Sequence, residues 1–459
     1  MINLNELRNK KIGIFGLGKT GIATLRAFSI IGAHISVWDD NNHQIEQFYK
    51  RIKNYENIKC FNFIDEKQLE DIDFMVISPG VPCYLPKPHD IFYLCKKNGI
   101  PILTDIDILF HACQKANYIG ITGTNGKSTT AALIKHILNC NKIKAYLGGN
   151  IGIPVLSLPQ ITTDQGSYVL ELSSYQLDLM SKYKFNIAVL LSIVPDHLDW
   201  YGTVNKYRDA KLKIFDYQDQ KDFSVISLDS DINKRVYKKL SQYSRQNIIT
   251  VSSKKILQSG ISLVNSCIYD NFFQKKCREI FLPSILTGRF SSENIVTAYT
   301  VSRILKTTEE NFLSSLKTFK GLSHRMEVFL KTKNITFVDD SKATNIESTK
   351  QALKSFDNIY WILGGVFKET GTRDLGNYLK TVKHCYLIGR DFTKFIPMLE
   401  KKNVSYSICN TLENAVLQIN LDISKGTVLL SPCCASFDQW KNFEDRGITF
   451  KKLVMKIFK

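Results

Sequence analysis

The chain has 459 residues, which predicts about three domains, and its 61 Lys and Arg residues against 43 Asp and Glu residues give a formal net charge of +18. Hydrophobic residues make up 44% and charged residues 23%, so the composition is that of a globular protein and excludes a wholly disordered chain. No apolar run reaches the roughly 18 residues that a membrane span needs, and the N-terminal segment lacks the apolar core of a secretory signal.

Charge distribution and cysteine spacing narrow the choice of partners and compartment. Basic residues are spread along the whole chain, so we expect no nucleic-acid partner and a surface that favours anionic small substrates. The eleven cysteines include no Cys-x-x-Cys pair, which argues against a disulfide framework and against a thiolate zinc site. We therefore expect a cytoplasmic protein, and we take it to be a monomer.

The first predicted strand, Ile12–Phe15, runs into a Gly-x-Gly-x-x-Gly motif at residues 16–21, and a helix follows from Ile22. A second strand ends at Asp39 and Asp40, where an acidic ribose ligand would stand in a dinucleotide-binding domain. Glycines at this turn let the backbone approach a pyrophosphate. The motif fits NAD and fits equally a nucleotide-binding domain of another kind.

A second strand–loop–helix unit carries a phosphate-binding loop. Strand Tyr118–Thr122 runs into the sequence GTNGKST at residues 123–129, and an apolar-faced helix follows. Backbone N–H groups of such a loop hold phosphates, Lys127 reaches the terminal ones, and the Ser128 hydroxyl suits Mg²⁺. The spacing departs from G-x-x-x-x-G-K-S because residue 121 is Ile, but the context favours ATP binding.

Polar residues at the ends of the next two strands are candidate metal ligands. Glu171 lies within an apolar strand, where a carboxylate is costly unless it is paired or binds a metal. Pro195 breaks the following strand just before Asp196 and His197; the histidine is either a metal ligand or a packed side chain. By pattern alone Lys211 is a solvated lysine of a helix. We expect the replacement of its neighbour Lys213 by Ala to be nearly silent.

The remaining motifs lie near the C-terminus, each after a strand and before a helix. They are DDSKATN at residues 339–345 and SPCCASFDQWKNF at residues 431–443, and both place hydroxyls and amides where a carboxylate or phosphate would bind. Cys433 and Cys434 have no activating histidine nearby, so we interpret them as small buried residues. The segment 252–286 is predicted to form strands that cover the central domain. Strands that alternate with helices predict parallel sheets throughout.

Taken in order, these motifs resemble those of the Mur ligases of peptidoglycan synthesis over nearly the full chain, and most closely those of the D-glutamate-adding members. The loop GTNGKST is shared with folylpolyglutamate synthases; GNIG at 149–152, ELSSYQL at 171–177 and DHLD at 196–199 add to the likeness. The DDSKATN and SPCCASFDQWKNF segments are typical of the D-glutamate-adding members.

The resemblance implies an α/β protein of three domains. These are an N-terminal Rossmann-like parallel sheet that binds the UDP-linked substrate (1–105), a central P-loop-type ATPase domain (106–322) and a C-terminal Rossmann-like domain that binds the amino acid (323–459). In that case the glycine-rich motif at residues 16–21 would bind UDP and not NAD.

The resemblance also implies the site residues. The UDP-linked substrate would be bound by Gly18, Lys19, Thr20, Asp39, Asp40 and Asn150. ATP would be bound, with His324 nearby, by Gly123, Thr124, Asn125, Gly126, Lys127, Ser128, Thr129, Asn294, Arg325 and Asp340. D-Glutamate would be bound by Lys342, Thr344, Lys368, Ser436 and Phe443. The catalytic residues would be Lys127, Glu171, His197 and Lys211. Two Mg²⁺ ions would be held by Ser128, Glu171, His197 and by Lys211 as a carbamate formed from CO₂.

Two positions depart from the pattern of the family. Where the family has a His-Asn pair, this chain has Phe290-Ser291, and where the family has an acidic residue, this chain has Val366. Neither position is a predicted metal ligand or the phosphate-binding lysine, so we expect an active enzyme with an altered nucleotide affinity.

The implied reaction is an ATP-dependent amide ligation that adds D-glutamate to UDP-N-acetylmuramoyl-L-alanine through an acyl phosphate. Three alternatives stay open. Another Mur-type or folylpolyglutamate-type ligase would share the central loop, but the latter should lack the glycine-rich opening. An NAD-dependent oxidoreductase would leave GTNGKST and DDSKATN without a role. A non-catalytic nucleotide-binding protein would have lost Lys127 or Glu171.

Overall fold

The protein is described from a computed structural model covering residues 2–51, 57–64, 69, 71–84, 87–181, 183–243, 245–273, 279–281, 292–367 and 373–458. The chain divides into two compact units, Met1–Phe319 and Lys320–Lys459. The first unit contains two sheets and the second contains one. None of the described helices is long and apolar enough to cross a membrane.

The first sheet has five parallel strands: β1 Lys11–Phe15, β2 His34–Trp38, β3 Ile58–Cys60, β4 Phe74–Ile77 and β5 Ile102–Leu103. Their order is β3-β2-β1-β4-β5, so the chain changes direction across the sheet at β1, which opens a crevice at its carboxyl end. The associated helices are α1 Lys19–Ile30, α2 Asn42–Arg51, α3 Asp90–Lys97, α4 Asp105–Ala112 and the 3₁₀ turn Asn5–Leu7.

The second sheet has nine described strands: β6 Asn117–Thr122, β7 Ala145–Gly149, β8 Ser167–Glu171, β9 Ile187–Leu190, β10 Phe223–Ser227, β11 Asn247–Ser252, β12 Ile261–Val264, β13 Cys267–Asp270 and β14 Glu279–Phe281. Their order is β14-β13-β12-β11-β10-β9-β6-β8-β7. Only the β12–β13 and β13–β14 pairs are antiparallel. The strands predicted in 252–286 therefore extend one edge of the sheet and do not cover it; residues 274–278 and 282–286 lie outside the described residues.

Helices on both faces bury the apolar strands of this sheet, and β9 is buried along its whole length. The helices are α5 Lys127–Cys140, α6 Ser174–Leu179, α7 Leu198–Tyr201, α8 Val204–Leu212, α9 Asp231–Tyr243, α10 Ser292–Ile304, α11 Glu309–Thr318 and the 3₁₀ turns Val155–Ser157 and Lys213–Phe215. The first helix of this set packs against α10, which brings residues near 130 and 294 together.

The second unit is built on six strands: β15 Glu327–Lys331, β16 Ile335–Asp339, β17 Ile359–Gly364, β18 Val382–Ile388, β19 Tyr406–Asn410 and β20 Gly426–Leu430. Their order is β15-β16-β20-β17-β18-β19, and β15 alone runs antiparallel to its neighbour. The described helices are α12 Ile346–Lys354, α13 Ile396–Lys401, α14 Leu412–Asp422, α15 Phe443–Ile457 and the 3₁₀ segments Arg373–Thr381 and Phe392–Phe395.

The predicted α/β class with three mainly parallel sheets is confirmed. The unit boundary after Phe319 lies close to the predicted boundary at 322. The division of the first unit at residue 105 stays a prediction. The helix expected from Ile22 begins earlier, at Lys19, directly after the glycine-rich turn.

The glycine-rich turn depends on one close approach. A Cβ added to Gly21 would collide with the carbonyl oxygen of Gly16, whereas a Cβ at Gly18 would meet nothing within 4 Å. We expect Gly21→Ala to lower the free energy of unfolding by about 1–3 kcal/mol, since the backbone must shift to make room. Gly18→Ala is the matched control and should change it by less than about 0.5 kcal/mol. Urea unfolding measures both; equal effects would show that the turn does not constrain this region.

Candidate active site

The carboxyl ends of β6, β8 and β9 lie side by side in the central sheet, and each is followed by predicted site residues. The phosphate loop follows β6, Glu171 ends β8, and residues 191–197 follow β9. Parallel strands place their carboxyl ends at one edge of a sheet, where ligands bind in α/β folds. The candidate site is this edge.

Two glycines shape the phosphate loop. Gly126 has φ 83° and caps α5, and a Cβ there would lie 2.5 Å from the side-chain oxygen of Asn294. That oxygen also accepts a hydrogen bond from the Thr130 hydroxyl at 3.3 Å. A Cβ on Gly123, whose φ is 145°, would lie 2.6 Å from Cβ of Leu191. The structure therefore places the predicted residue Asn294 directly against the loop.

Two lysines donate to one carbonyl of this loop. The Nζ of Lys127 lies 3.0 Å from the Gly123 carbonyl oxygen and 2.7 Å from that of Thr124. The Nζ of Lys211 lies 2.9 Å from the same Gly123 oxygen. Two of the four predicted catalytic residues therefore meet at one atom of the loop.

Lys211 is not the solvated lysine that its helix pattern indicates. Its side chain is buried, with only 1% of the residue exposed, and Nζ lies 4.5 Å from the centre of the Tyr207 ring. Burial lowers the pKa of Lys211 well below its ordinary value, and the charge of Lys127 adds to this, against the opposing effects of Asp196 and Glu171. Burial therefore shifts the protonation balance of Lys211 toward the neutral amine.

Glu171 is 3% exposed at the end of β8 and has an incomplete set of hydrogen bonds. Its Oε1 accepts a hydrogen bond from the Asn150 amide at 3.0 Å, whereas Oε2 is buried and has no described partner. A buried carboxylate oxygen without a partner is costly. The free oxygen fits a divalent cation, which takes carboxylate ligands, and the Ser128 hydroxyl is buried in the first turn of α5.

His197 has a left-handed backbone, with φ 53°, at the start of α7. Its Nδ1 lies 2.8 Å from the Tyr175 hydroxyl and its Nε2 lies 3.7 Å from Asp196. Burial lowers the pKa of His197, and Lys211 and Lys127 contribute to the shift while Asp196 opposes it. The histidine is therefore both packed, on Tyr175, and within electrostatic reach of the phosphate-loop lysine.

Five of the predicted UDP-site residues lie at the carboxyl end of the first sheet, whereas Asn150 follows β7 of the nine-stranded sheet. Gly18 precedes α1, with Lys19 exposed and Thr20 half-buried in its first turn. Asp39 accepts hydrogen bonds from the backbone N–H of Leu17 at 2.6 Å and of Asn41 at 2.8 Å, so its carboxylate shapes the glycine-rich loop.

The neighbouring Asp40 has a partner that the sequence did not indicate. Its carboxylate lies 2.8 Å from Nε2 of His89 and accepts a hydrogen bond from the Trp38 indole at 3.0 Å. The His89 ring lies 4.7 Å from the ring of Phe15 in β1. The histidine is 49 residues away along the chain, so local spacing carries no signal of this pair.

The second unit holds the other predicted nucleotide residues. Asp340 is buried; its carboxylate accepts hydrogen bonds from the Ser431 hydroxyl at 2.8 Å and the Met326 N–H at 3.1 Å, and burial raises its pKa to about 7. His324, with φ 62°, lies 2.6 Å from Asp339 through Nδ1. Arg325, the residue after His324, is half-buried, and its positive charge partly offsets the rise in the pKa of Asp340.

Two of the predicted D-glutamate residues, Lys342 and Phe443, meet at the start of α15. The Nζ of Lys342 lies 3.6 Å from the centre of the Phe443 ring, Ser436 is buried and Thr344 is half-buried. Lys368 lies outside the described residues, as do Phe290 and Ser291.

Arg446 is a residue of this group that sequence reasoning missed. It is fully buried in α15 and donates to the backbone of Ser341 and Cys434 and to the Ser341 hydroxyl. Its Nη1 is buried without a described acceptor and would lie 3.3 Å from a Cβ on Gly365. Burial lowers its pKa to about 10. Cys433 and Cys434 are buried, as predicted.

Glu293 is a second missed residue. Its Oε1 accepts hydrogen bonds from the backbone N–H and hydroxyl of Ser192, at 2.9 and 2.6 Å, and from the hydroxyl of Ser227 at 2.5 Å. The Ser192 carbonyl accepts in turn from the N–H of Thr124 in the phosphate loop, at 3.1 Å. Burial raises the pKa of Glu293. The carboxylate therefore joins the ends of β9 and β10 to the loop and fixes its neighbour Asn294.

Asp178 is a third missed residue, with a side chain 3% exposed. Its carboxylate pairs with Nζ of Lys213 at 2.8 Å and accepts hydrogen bonds from the hydroxyls of Tyr201 at 3.0 Å and Tyr84 at 3.4 Å. The expectation that Lys213 is dispensable is therefore at odds with the structure, because its replacement would remove the counter-charge of a buried carboxylate.

Comparisons with known proteins define the class. The chain matches the family models for the Mur ligase middle domain over residues 121–302, the Mur ligase glutamate ligase domain over 324–434 and the MurD-like N-terminal domain over 10–103. The chain belongs to the Mur ligase family. It is 38% identical to the UDP-N-acetylmuramoylalanine–D-glutamate ligase of Rickettsia bellii, covering 97% of each chain, and 39% identical to that of Rickettsia prowazekii, covering 98% of this chain and 99% of the relative.

Solved structures show the same fold at low sequence identity. The UDP-N-acetylmuramate-alanine ligase MurC of Thermotoga maritima is 16% identical with a TM-score of 0.60, over 98% of this chain and all of that one. The MurF ligase of the same organism, solved with ADP, is 17% identical with a TM-score of 0.58, over 99% and 97% of the two chains. The predicted resemblance, and with it an ATP-dependent ligase, is confirmed.

The hydrogen bonds of Glu293 yield a prediction about nucleotide affinity. Glu293→Ala leaves three donors without their acceptor and frees the loop and Asn294, so we expect the Kd for ATP to rise by about tenfold or more. Isothermal titration calorimetry measures this. Glu310→Ala removes an exposed carboxylate of the next helix and should leave the affinity unchanged; equal affinities for both variants would remove Glu293 from the site.

Proposed function

We propose that the protein joins D-glutamate to UDP-N-acetylmuramoyl-L-alanine at the expense of ATP, in the synthesis of peptidoglycan precursors. The observation that carries the proposal is the convergence of Lys127, Lys211 and the buried Glu171 at one sheet edge. The names of the relatives support the choice of substrates.

The phosphate loop binds the nucleotide through backbone N–H groups at the start of α5. Lys127 donates to two loop carbonyls and, by rotating about its side-chain bonds, exchanges them for oxygens of the terminal phosphates. Its charge then offsets the negative charge that develops during phosphoryl transfer.

The donors present fit Mg²⁺ ions. Ser128 and Glu171 would hold one, and the unpartnered Oε2 of Glu171 supports this assignment. His197 and a carbamate on Lys211 would hold a second. The ions would neutralise phosphate charge and polarise the oxygens of the transferred group.

Ligation requires an activated carboxylate, because a carboxylate is a poor electrophile. The alanyl carboxylate oxygen attacks the γ-phosphorus of ATP, which gives an acyl phosphate and ADP. The free amine of D-glutamate then attacks the carbonyl carbon, its nitrogen loses a proton, and phosphate leaves from the tetrahedral intermediate to give the amide. The chain contributes orientation and charge to both steps, since each reacting group must be held close to its partner.

The outer parts of the substrates are assigned to two groups of residues. Gly18, Lys19 and Thr20, at the positive end of α1, together with Asp39, Asp40 and Asn150, would bind the UDP-linked substrate. Lys342, Thr344, Lys368, Ser436 and Phe443 would bind D-glutamate, whose two carboxylates suit lysines and hydroxyls.

Burial and charge support the proposed carbamate on Lys211. A buried amine beside Lys127 favours the neutral form, which is the form that reacts with CO₂. The nitrogen lone pair bonds to the carbon of CO₂ and a proton leaves, so a potential cation becomes an anionic oxygen ligand.

We also propose a cytoplasmic location and a monomer. All ten described cysteines are free, as in proteins of a reducing compartment. Sedimentation velocity would test the monomer.

Substrate choice is tested by phosphate release from ATP in the presence of UDP-N-acetylmuramoyl-L-alanine, with D-glutamate, L-lysine or meso-diaminopimelate assayed in parallel. We expect release with D-glutamate alone, because the proposed pocket offers cations and hydroxyls to an acidic amino acid. Faster release with L-lysine would overturn the assignment.

The separation of the sites is tested with Lys127→Ala. We expect turnover to fall below detection, since the phosphate-binding cation is lost, while binding of the UDP-linked substrate changes by less than about twofold. Calorimetry with the UDP-linked substrate measures the second quantity. Loss of that binding in a folded variant would contradict the placement of the two sites on different sheets.

The carbamate is tested with Lys211→Ala. We expect it to be nearly inactive and to regain activity with acetate, which would supply the missing carboxylate oxygens. Lys211→Arg should not be rescued, because its fixed charge would repel the metal. Lys206→Ala, an exposed lysine of the same helix, is the silent control and replaces Lys213 in that role. High residual activity of Lys211→Ala at limiting Mg²⁺ would rule the carbamate out.

A further inference from the structure

An open groove of about 800 Å³ lies on the central sheet's helical layer, outside the residues assigned above. One side of the groove is α9. The other side is the end of α8 together with the 3₁₀ turn Lys213–Phe215 that follows α8. Its volume falls within the range of about 300–1,000 Å³ that is typical of small-molecule sites.

The rim of the groove is cationic. Arg208, Arg235, Lys239 and Arg245 line it, against the carboxylates of Asp209 and Asp216. Arg208 is paired with Asp209 at 2.7 Å, whereas the other three cations form no ion pair within the described part of the chain. The four cations outnumber the two carboxylates of the lining, so the groove would attract an anionic ligand.

The floor of the groove is apolar. Leu212, Phe215, Val236 and Leu240 supply aliphatic and aromatic surface, and the Tyr243 ring at one end is 81% exposed. An exposed ring beside arginines is the combination on which a flat aromatic group stacks while its anionic part is held by guanidinium groups.

Both walls of the groove are attached to the candidate active site. The helix α8 carries Lys211, whose Nζ reaches the phosphate loop. The helix α9 carries Asn233, which is fully buried, donates to the Leu191 carbonyl at 3.1 Å and accepts from the Ile193 N–H at 3.2 Å. Leu191 and Ile193 belong to the segment that leads from β9 to His197. A ligand that changes the spacing of the two helices therefore acts on both sets of residues.

We propose that this groove is an effector site for an aromatic phosphate, a mononucleotide by chemistry, separate from the ATP and UDP sites. The phosphate is held by Arg235, Lys239 and Arg245, and the base lies on Tyr243 and the apolar floor. Occupancy acts on ligation through α8 and α9.

The test is photolabelling of the full chain with 8-azido-AMP while saturating AMP-PNP and UDP fill the other two nucleotide sites. Mass spectrometry then locates the adducts. We expect an adduct on the peptide that contains Tyr243, competed away by AMP. The double variant Arg235→Ala/Lys239→Ala should lose at least about tenfold of this adduct, since two charge-assisted contacts are removed.

Lys238→Ala is the matched control, because Lys238 is an exposed lysine of the same helix that does not line the groove. It should label like the unchanged protein. Binding of AMP-PNP by the double variant should be unchanged, which separates failure of this proposal from failure of the ligase assignment. Absence of an AMP-competable adduct near Tyr243, or its persistence in the double variant, would overturn the proposal.

Discussion

The geometry of the candidate active site depends on one shared acceptor, the Gly123 carbonyl oxygen, to which Lys127 and Lys211 both donate. Two ammonium groups at one oxygen repel each other, and burial makes this repulsion stronger than it would be in water. The arrangement therefore favours loss of one positive charge, and the more deeply buried Lys211 is the group that can give it up.

Around this acceptor, the other groups are held by carboxylates that act on the backbone. Glu293 holds the segment after β9 against the loop, and Asp39 holds the glycine-rich turn of the first sheet through the Leu17 N–H. In both places a charged side chain fixes the position of main-chain atoms that lie at the carboxyl end of a parallel strand. Binding surfaces made of main chain are thereby positioned before a ligand arrives, which reduces the entropy cost of binding.

The sequence predicted those parts of the structure whose signal is local. Lys127 was found because it follows a strand and a glycine-rich loop, and Glu171 because it is a carboxylate within an apolar strand. The parallel sheets were predicted from the alternation of strands and helices. Glu293, Asp178 and His89 were missed because their partners are 101, 35 and 49 residues away, and no spacing rule links them. The burial of Lys211 was equally invisible in its helix pattern, since polarity alone does not say which face of a helix is covered. Only the resemblance to the family indicated a role for Lys211.

The carboxylate of Asp178 lies between the two sheets of the first unit: Tyr84 follows a strand of the five-stranded sheet, and Lys213 belongs to the helical layer of the nine-stranded one. A buried carboxylate with an ammonium and two phenols around it resists separation, because parting them exposes an uncompensated charge. These contacts therefore oppose separation of the two sheets of the first unit when a ligand binds.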